Sequence, residues 1–208
     1  MTIKIIQTQR LLLRQWRPSD LPIFADINAD PEVMRYFPKL LSPTVSDIIA
    51  NKCQQLIEDN GWGFWALSLK ANSEKADNFI GFVGLNATHA DLPFAPSVEI
   101  AWRLHKDYWR QGYATEAAQA ALKFAFAELN LQQVVAFTAV INKPSQKLMQ
   151  RLGMTNTEDN FFHPALKKEH RLSEHVLYKI TQQQWLASAI NPSTLNNINT
   201  ESLPGKSK

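Results

Sequence analysis

The spacing of apolar residues divides the chain into segments with strand and helix character. Runs of branched and aromatic residues predict strands over residues 10–16, 62–69, 79–87, 98–104, 134–141 and 176–180. Apolar residues at helical spacing predict helices over residues 20–28, 44–60, 114–129 and 144–152. Ser19 and Asp20 offer an N-cap for the first helix, and Asp30 followed by Pro31 offers another.

The order of these elements indicates the fold class. Three successive strands without intervening helices predict an antiparallel meander, and the later alternation of helices and strands adds mixed pairing. We therefore expect an α+β protein with a mixed, mostly antiparallel central sheet and helices on both faces. A polar loop around residues 72–77 separates two strands of the meander. Residues 1–186 are predicted to form one domain, and the Asn-, Ser-, Thr- and Pro-rich residues 187–208 a flexible tail.

Composition narrows the class of protein. With 208 residues, 45% of them hydrophobic and 20% charged, the chain is typical of one globular domain. The single cysteine, Cys53, excludes an internal disulfide and fits a reducing cytoplasm. Residues 1–16 lack the features of a signal peptide, and we expect no membrane span. The net charge of +3 is too small and dispersed to indicate nucleic-acid binding.

The segment YWRQGYATEA, residues 108–117, carries the clearest chemical signal. It lies between a predicted strand and the longest predicted helix, and it contains Gly112. The first N–H groups of a helix lack internal partners and favour a phosphate, and a glycine lets the backbone approach it closely. An ordinary loop with a well-formed helix start is the alternative interpretation.

At this segment the chain resembles the GNAT acetyltransferases, most closely the Rim-type branch that includes the ribosomal-protein N-terminal acetyltransferases. The resemblance extends over residues 8–182 through the segments TQRLLLRQW, DPEVMRYF, VEIAWRL, WRQGYATEA and NKPSQKLMQRLGM. It implies a three-layer α/β/α fold with a splayed strand pair, and acetyl-coenzyme A as cosubstrate without a metal. The chain departs from the wider superfamily at Trp109, where arginine or glutamine is common.

The resemblance also implies a set of cofactor-binding residues. The strand 98–104 would bind the pantetheine arm through its main chain, the glycine turn would bind the pyrophosphate, and an asparagine opening the later helix would contact the coenzyme arm. These residues are Trp102, Arg103, Leu104, Trp109, Arg110, Gln111, Gly112, Tyr113, Ala114, Thr115 and Asn142.

Two residues are candidates for proton transfer. Glu99 lies beside the expected position of the acetyl carbonyl and is the best candidate to accept the amine proton, whereas its alternative role is a strand carboxylate that pairs with Arg103. Ser145 lies where the branch has a group that protonates the thiolate, although it is equally a hydroxyl in a first helical turn. Many relatives use a tyrosine at the position of Met149, so a tyrosine acid is excluded there.

The resemblance therefore implies direct transfer of an acetyl group to a primary amine, with no covalent enzyme intermediate. The acceptor, a protein N-terminus or a small molecule, is left open, as is a monomer or a homodimer. A non-catalytic acetyl-coenzyme A sensor is the alternative function. His163, His170 and His175 do not match a metal motif, and we expect them to shape the acceptor pocket or the late strand. Trp62, Phe64 and Trp65 are predicted core residues, as is Cys53.

Overall fold

The computed structural model describes residues 2–70 and 78–190. The predicted polar loop at 72–77 and residues 191–208 of the predicted tail lie outside the described residues. Within them the strands are β1 (Ile6–Gln7), β2 (Leu11–Arg14), β3 (Phe64–Leu69), β4 (Phe79–Ala87), β5 (Val98–Leu104), β6 (Gln133–Ala139), β7 (Thr155–Asn156), β8 (Phe161–Phe162) and β9 (Glu174–Thr181). The helices are α1 (Leu21–Ala29), α2 (Pro43–Asn60), α3 (Tyr113–Ala127), α4 (Lys143–Arg151) and α5 (Gln182–Ile190).

The predicted and observed elements agree except for short or terminal ones. The two-residue strands β1, β7 and β8 are too short to produce a period, and sequence analysis missed them. Helix α5 was also missed, and it continues to Ile190, four residues past the predicted domain end at residue 186. Its first residues are glutamines, which suit a helix as well as a loop.

The strands form one sheet in the order β1-β2-β3-β4-β5-β6-β9-β7, with β8 also paired to β9. Strands β3, β4 and β5 form the antiparallel meander, and β5 pairs with β6 in parallel. The remaining pairs are antiparallel. The predicted mixed, mostly antiparallel sheet is therefore confirmed.

Helices cover both faces of the sheet. The ring of Phe82 contacts Phe24 of α1 and Phe64 of β3. The next residue along β3, Trp65, points to the opposite face and contacts Phe124 of α3. Helices α1 and α3 consequently pack on opposite faces, which confirms the α+β arrangement of layers. None of the described helices is long and apolar enough to cross a membrane.

Of the two predicted caps near the N-terminus, Asp20 does not cap α1 with its side chain, whereas Asp30 caps the turn that follows it. The Asp20 carboxylate accepts the Arg17 N–H at 2.8 Å, which closes a capping box of the preceding 3-10 turn Pro18–Asp20, and it accepts hydrogen bonds from both terminal nitrogens of Arg14 at 2.7 and 2.9 Å. Asp30 accepts N–H bonds from Glu32 and Val33, but only a 3-10 turn over Met34–Tyr36 follows. Its carboxylate also pairs with Lys106 at 2.7 Å. Each carboxylate thus combines local N–H bonds with an ion pair to a basic side chain.

We predict that Asp20→Ala destabilises the fold strongly. The side chains of Arg14 and Asp20 are 4% and 2% exposed, so the substitution leaves a charge buried without its main partner. Breaking such a pair costs about 3–5 kcal/mol. Urea unfolding followed by circular dichroism measures the loss.

The control is Asp26→Ala, which removes an exposed carboxylate from α1 and is expected to change stability by less than about 0.5 kcal/mol. Equal stabilities of the two variants would contradict the importance of the buried pair.

Candidate active site

Strands β5 and β6 separate soon after they meet. Their parallel pairing has a single register partner, Glu99 with Val135, although each strand has seven residues. On its other side β5 pairs with β4 through all seven of its residues. The C-terminal halves of β5 and β6 therefore leave a gap in the middle of the sheet, as expected for a splayed pair.

A groove with a volume of about 1630 Å³ runs through this gap. Its walls come from β5, β6, the start of α3, α4, the α1–α2 connection and the segment between β8 and β9. Twelve of the thirteen site residues predicted from the sequence line the groove: Glu99, Trp102, Arg103 and Leu104 on β5, Trp109, Arg110, Gly112, Tyr113, Ala114 and Thr115 around the start of α3, and Asn142 and Ser145 around the start of α4.

Gln111 is the exception among the predicted residues. Its side chain donates to the carbonyl of Asp107 at 2.8 Å, and its own carbonyl accepts from Arg10 Nη1 at 3.0 Å. These contacts fix the turn from behind, and Gln111 does not line the groove. The side chain of Gln111 therefore stabilises the turn, and its role in cofactor binding stays a prediction.

The turn before α3 exposes backbone donors to the groove. Arg110 and Gly112 have φ angles of 60° and 81°, and Gly112 is the N-cap of α3 without a side-chain cap. The N–H of Glu116 closes the first helical bond to the Gly112 carbonyl at 3.0 Å. The N–H groups of the three residues between them point out of the helix start, where the helix dipole favours an anion.

A contact network that we call the Arg10 clamp holds this turn. It consists of Thr8, Arg10, Glu116 and Tyr113. The Glu116 carboxylate accepts bonds from Thr8 Oγ1 at 2.6 Å and from Arg10 Nε at 2.7 Å. The Arg10 guanidinium also lies 4.5 Å from the centre of the Tyr113 ring. Although burial alone would raise it, these hydrogen bonds hold the pKa of Glu116 below its usual value.

Glu99 lies where the two strands begin to part. Burial raises the pKa of its carboxyl group to about 7. Among the described residues it makes no ion pair with Arg103, the alternative role considered from the sequence. Arg103 Nη1 instead donates to Asn28 Oδ1, and its guanidinium lies 4.0 Å from the centre of the Phe37 ring. Glu99 is thus a carboxyl group that changes charge near neutral pH.

Asn142 and Ser145 lie together at the start of α4. The Asn142 side chain accepts from Ser145 N–H at 3.3 Å and donates to Thr138 Oγ1 at 2.8 Å, so it is an N-cap. The Ser145 hydroxyl makes no hydrogen bond to any described residue and lines the groove. Met149, one turn further on, is buried and also lines it.

A cluster of rings that we call the aromatic wall consists of Phe94, Phe137, Phe161, His163 and His175, and Phe137, His163 and His175 of this cluster line the groove. The imidazoles of His163 and His175 have ring centres 5.0 Å apart, and each lies about 6 Å from Phe137. The predicted involvement of these two histidines in a pocket is consistent with their lining the groove, whereas His170 does not line it. Arg171 donates to the Arg35 carbonyl at 2.7 Å and so joins the two loops beside this wall.

The other residues considered from the sequence lie elsewhere. Cys53 is buried in α2, where burial raises the pKa of its thiol to about 11. Trp65 is fully buried, Trp62 and Phe64 are packed against the core, and none of the three lines the groove. Among the described residues no group of three His, Cys, Asp or Glu side chains is arranged to hold a metal ion.

Sequence reasoning missed part of the groove. Phe37 and Phe137 were absent from the predicted site, as were the basic residues of α4, Lys143, Lys147 and Arg151. The basic residues had a usable signal, because they recur at helical spacing beside the asparagine cap. The two phenylalanines had none, since an aromatic residue in a strand or loop is usually core.

The family follows from a comparison with known proteins. The family model described as the acetyltransferase (GNAT) domain matches residues 10–155, which is more than half of the chain. The chain therefore belongs to the GNAT acetyltransferases and is an acetyltransferase enzyme. It is 26% identical to the uncharacterized N-acetyltransferase YnaD of Bacillus subtilis over 180 residues, covering 86% of this chain and 98% of that protein.

Solved structures share the fold. A GNAT-family acetyltransferase from Bacillus anthracis superposes with a TM-score of 0.70 at 24% identity, covering 86% of this chain and 99% of that one. The spermidine N-acetyltransferase from Vibrio cholerae, in complex with CoA and spermine, gives 0.65 at 22% identity, covering 86% and 99%. At these identities the likeness concerns the fold alone.

We predict that Glu99→Gln stabilises the protein above pH 7. The pKa of Glu99 is raised from an ordinary 4.5 to about 7 in the folded state, so the folded protein binds its proton more tightly than the unfolded chain. The wild type therefore loses stability as the pH rises between these values, and glutamine, which never ionises, avoids that loss. Urea unfolding at pH 5 and pH 8 measures the difference.

The advantage of Glu99→Gln over the wild type should grow from pH 5 to pH 8. An advantage that is the same at both pH values would show that Glu99 titrates normally.

Proposed function

We propose that this enzyme transfers the acetyl group of acetyl-coenzyme A directly to a primary amine, with both substrates bound in the groove. One observation carries the proposal: three features face the same groove. They are the unpaired N–H groups at the start of α3, the gap between β5 and β6, and the Glu99 carboxyl group. Each serves a different part of such a reaction.

The phosphate turn and its surroundings fit the cosubstrate. The N–H groups of Tyr113, Ala114 and Thr115 suit a pyrophosphate, and Gly112 leaves room for it. Arg110, Lys143, Lys147 and Arg151 add positive charge to the groove lining. Because β6 does not pair with the end of β5, the edge of residues 102–104 that faces away from β4 is open to an extended chain of amides such as pantetheine, and on it the Leu104 carbonyl already accepts a bond from the Trp109 indole.

The acetyl group would then lie beside the middle of β5. A main-chain N–H near Ile100 or Ala101 would stabilise the oxyanion as the amine attacks the thioester carbonyl. The amine must first be neutral, which for a lysine-like amine with a pKa near 10.4 costs about 4 kcal/mol at pH 7.4. An ionised Glu99 would accept the proton that the amine loses, directly or through water.

The thiolate leaves as the carbon–sulfur bond breaks. Ser145 lies in the first turn of α4 with a hydroxyl that is not engaged by any described residue, so it can donate a proton to the sulfur. A thiol pKa near 8.5 makes this help modest, because the thiolate is a fair leaving group. We assign Ser145 a smaller contribution than Glu99.

The motif sequences favour the Rim-type branch for this chain. The WRQGYATEA segment places Trp109 in the turn, where its indole donates to the Leu104 carbonyl at 2.9 Å. That contact links the end of β5 to the turn. Trp109 therefore stabilises the turn at the position where other members have arginine or glutamine. An acceptor amine on a protein or a small molecule is compatible with this branch.

The first experiment is a calorimetric titration of the purified protein with acetyl-coenzyme A, with ATP as the phosphate control. Binding of acetyl-coenzyme A without ATP binding supports the proposal, and thiol release with an amine then separates the enzyme from a sensor. Absence of binding would leave the phosphate turn without its proposed ligand.

We predict that Gly112→Ala weakens acetyl-coenzyme A binding by about tenfold, equivalent to about 1.4 kcal/mol. Gly112 has φ of 81°, which strains any residue with a Cβ, and the added Cβ would come within 3.3 Å of Arg10 Nη2, so the Arg10 side chain that holds the turn must give way. Calorimetric titration of the variant measures the affinity.

Gly153→Ala is the matched control, because Gly153 has φ of 79° but lies outside the groove. It should cost a similar amount of stability, about 1–2 kcal/mol, without changing affinity. If both variants bound as tightly as the wild type, the turn would not be the phosphate site.

We predict that Glu99→Gln lowers kcat by about 100-fold and that Ser145→Ala lowers it by less than about tenfold, measured by thiol release with an amine acceptor. In the wild type kcat should fall as the pH drops below about 7, where Glu99 becomes protonated. The acetyl-coenzyme A affinity of both variants should match that of the wild type. Unchanged turnover in both would refute the proton-transfer assignments.

A further inference from the structure

The aromatic wall faces the same side of the sheet as Glu99. Val135 is the register partner of Glu99, and Phe137 follows it by two residues on β6. Because side chains alternate along a strand, Phe137 and Glu99 project from one face of the sheet. Two residues of strand correspond to about 7 Å, so Phe137 lies about that far along β6 from the residue that pairs with Glu99.

The rings of the wall have one side free. Phe137, His163 and His175 are half-buried, and all three line the groove. Phe94 and Phe161 support Phe137 from behind, with ring centres at 5.4 and 5.9 Å. Rings with a purely structural role would be fully buried in the core. Phe137, His163 and His175 instead each expose part of the ring to the groove.

Both imidazoles of the wall are uncharged near neutral pH. Burial lowers the pKa of His163 and of His175 below the ordinary value. His163 Nδ1 accepts from Ala165 N–H at 3.2 Å, so its proton is on Nε2. His175 Nδ1 lies 3.1 Å from the Ser173 carbonyl and must carry its proton there, which leaves Nε2 as an acceptor. The wall therefore presents neutral rings with one donor and one acceptor.

The charge of the groove argues against a polycationic acceptor. Among the described lining residues eight are lysine or arginine, and only Glu32, Glu99 and Asp107 carry carboxylates. Arg35 and Lys39 lie in the α1–α2 connection, and the Arg103 guanidinium bonds Asn28 of α1, so these three cations are separate from the basic residues of α4. A polyamine would bring several positive charges towards these side chains, which repel it.

We propose that the acceptor is a primary amine joined by a short linker to an uncharged aromatic ring, with the ring packed on the aromatic wall and the amine directed to Glu99. This inference rests on the proposed acetyl transfer. Stacked and edge-to-face ring contacts favour such a group, and we infer a short linker because Phe137 follows the register partner of Glu99 by only two residues.

The test compares 2-phenylethylamine with spermidine as acceptors for the full chain at pH 8, followed by thiol release. We expect kcat/KM for 2-phenylethylamine to exceed that for spermidine by at least about tenfold, equivalent to about 1.4 kcal/mol. Phe137→Leu should raise the KM for 2-phenylethylamine about tenfold and leave the KM for acetyl-coenzyme A unchanged.

Phe162→Leu is the matched control, because Phe162 is an exposed phenylalanine on β8 that does not line the groove. It should leave both constants unchanged. A second readout is independent of turnover: 2-phenylethylamine added to the CoA complex should shift the imidazole NMR signals of His163 and His175, assigned with His163→Gln and His175→Gln.

The outcomes separate the two proposals. If spermidine is the better acceptor, or if Phe137→Leu matches the wild type with 2-phenylethylamine, the inference about the acceptor is overturned while acetyl transfer stands. If acetyl-coenzyme A binds but 2-phenylethylamine is neither acetylated nor shifts the imidazole signals, the inference is overturned as well. If acetyl-coenzyme A does not bind at all, the proposed function itself has failed.

Discussion

The site depends on the early separation of two parallel strands. A backbone N–H or carbonyl that is unpaired in the interior of a sheet costs free energy, so strands normally stay paired along their length. Here β5 and β6 share one register pair and then part. The helices that start just after these strands, α3 and α4, therefore open on the same gap. The gap, the helix starts and the groove between them are consequences of one departure from regular pairing.

The two halves of the groove differ in charge and polarity. Around the start of α3 the lining combines a helix N-terminus with basic side chains, which suits a phosphorylated cosubstrate. Beyond Glu99 the lining changes to rings and neutral imidazoles. Glu99 lies between the halves, and burial brings its pKa close to neutral pH. A carboxyl group in that position can change its charge during a reaction without a large free-energy cost.

Much of this fold could be predicted from the sequence, and the reasons are local. Strands β4 and β5 carry long apolar runs bounded by turn residues, so their predicted ends match the structure. The glycine turn was equally clear, because positive φ and a helix start leave a sequence signature. Asp20 was misassigned as the cap of α1, because its carboxylate bonds the Arg17 N–H and the buried Arg14 guanidinium. Phe137 was missed, because the splay that exposes it is a property of strand pairing that no single segment encodes.

The Arg10 clamp joins positions that are 106 residues apart in the sequence. The shape of the turn before α3 is thus governed partly by the connection between β1 and β2, and the turn is complete only when that connection has docked. Contacts between distant segments form late in folding, because closing a long loop costs entropy. An affinity tag or a deletion that disturbs residues 8–10 would therefore alter the phosphate turn before α3, about a hundred residues further along the chain, without contacting that turn.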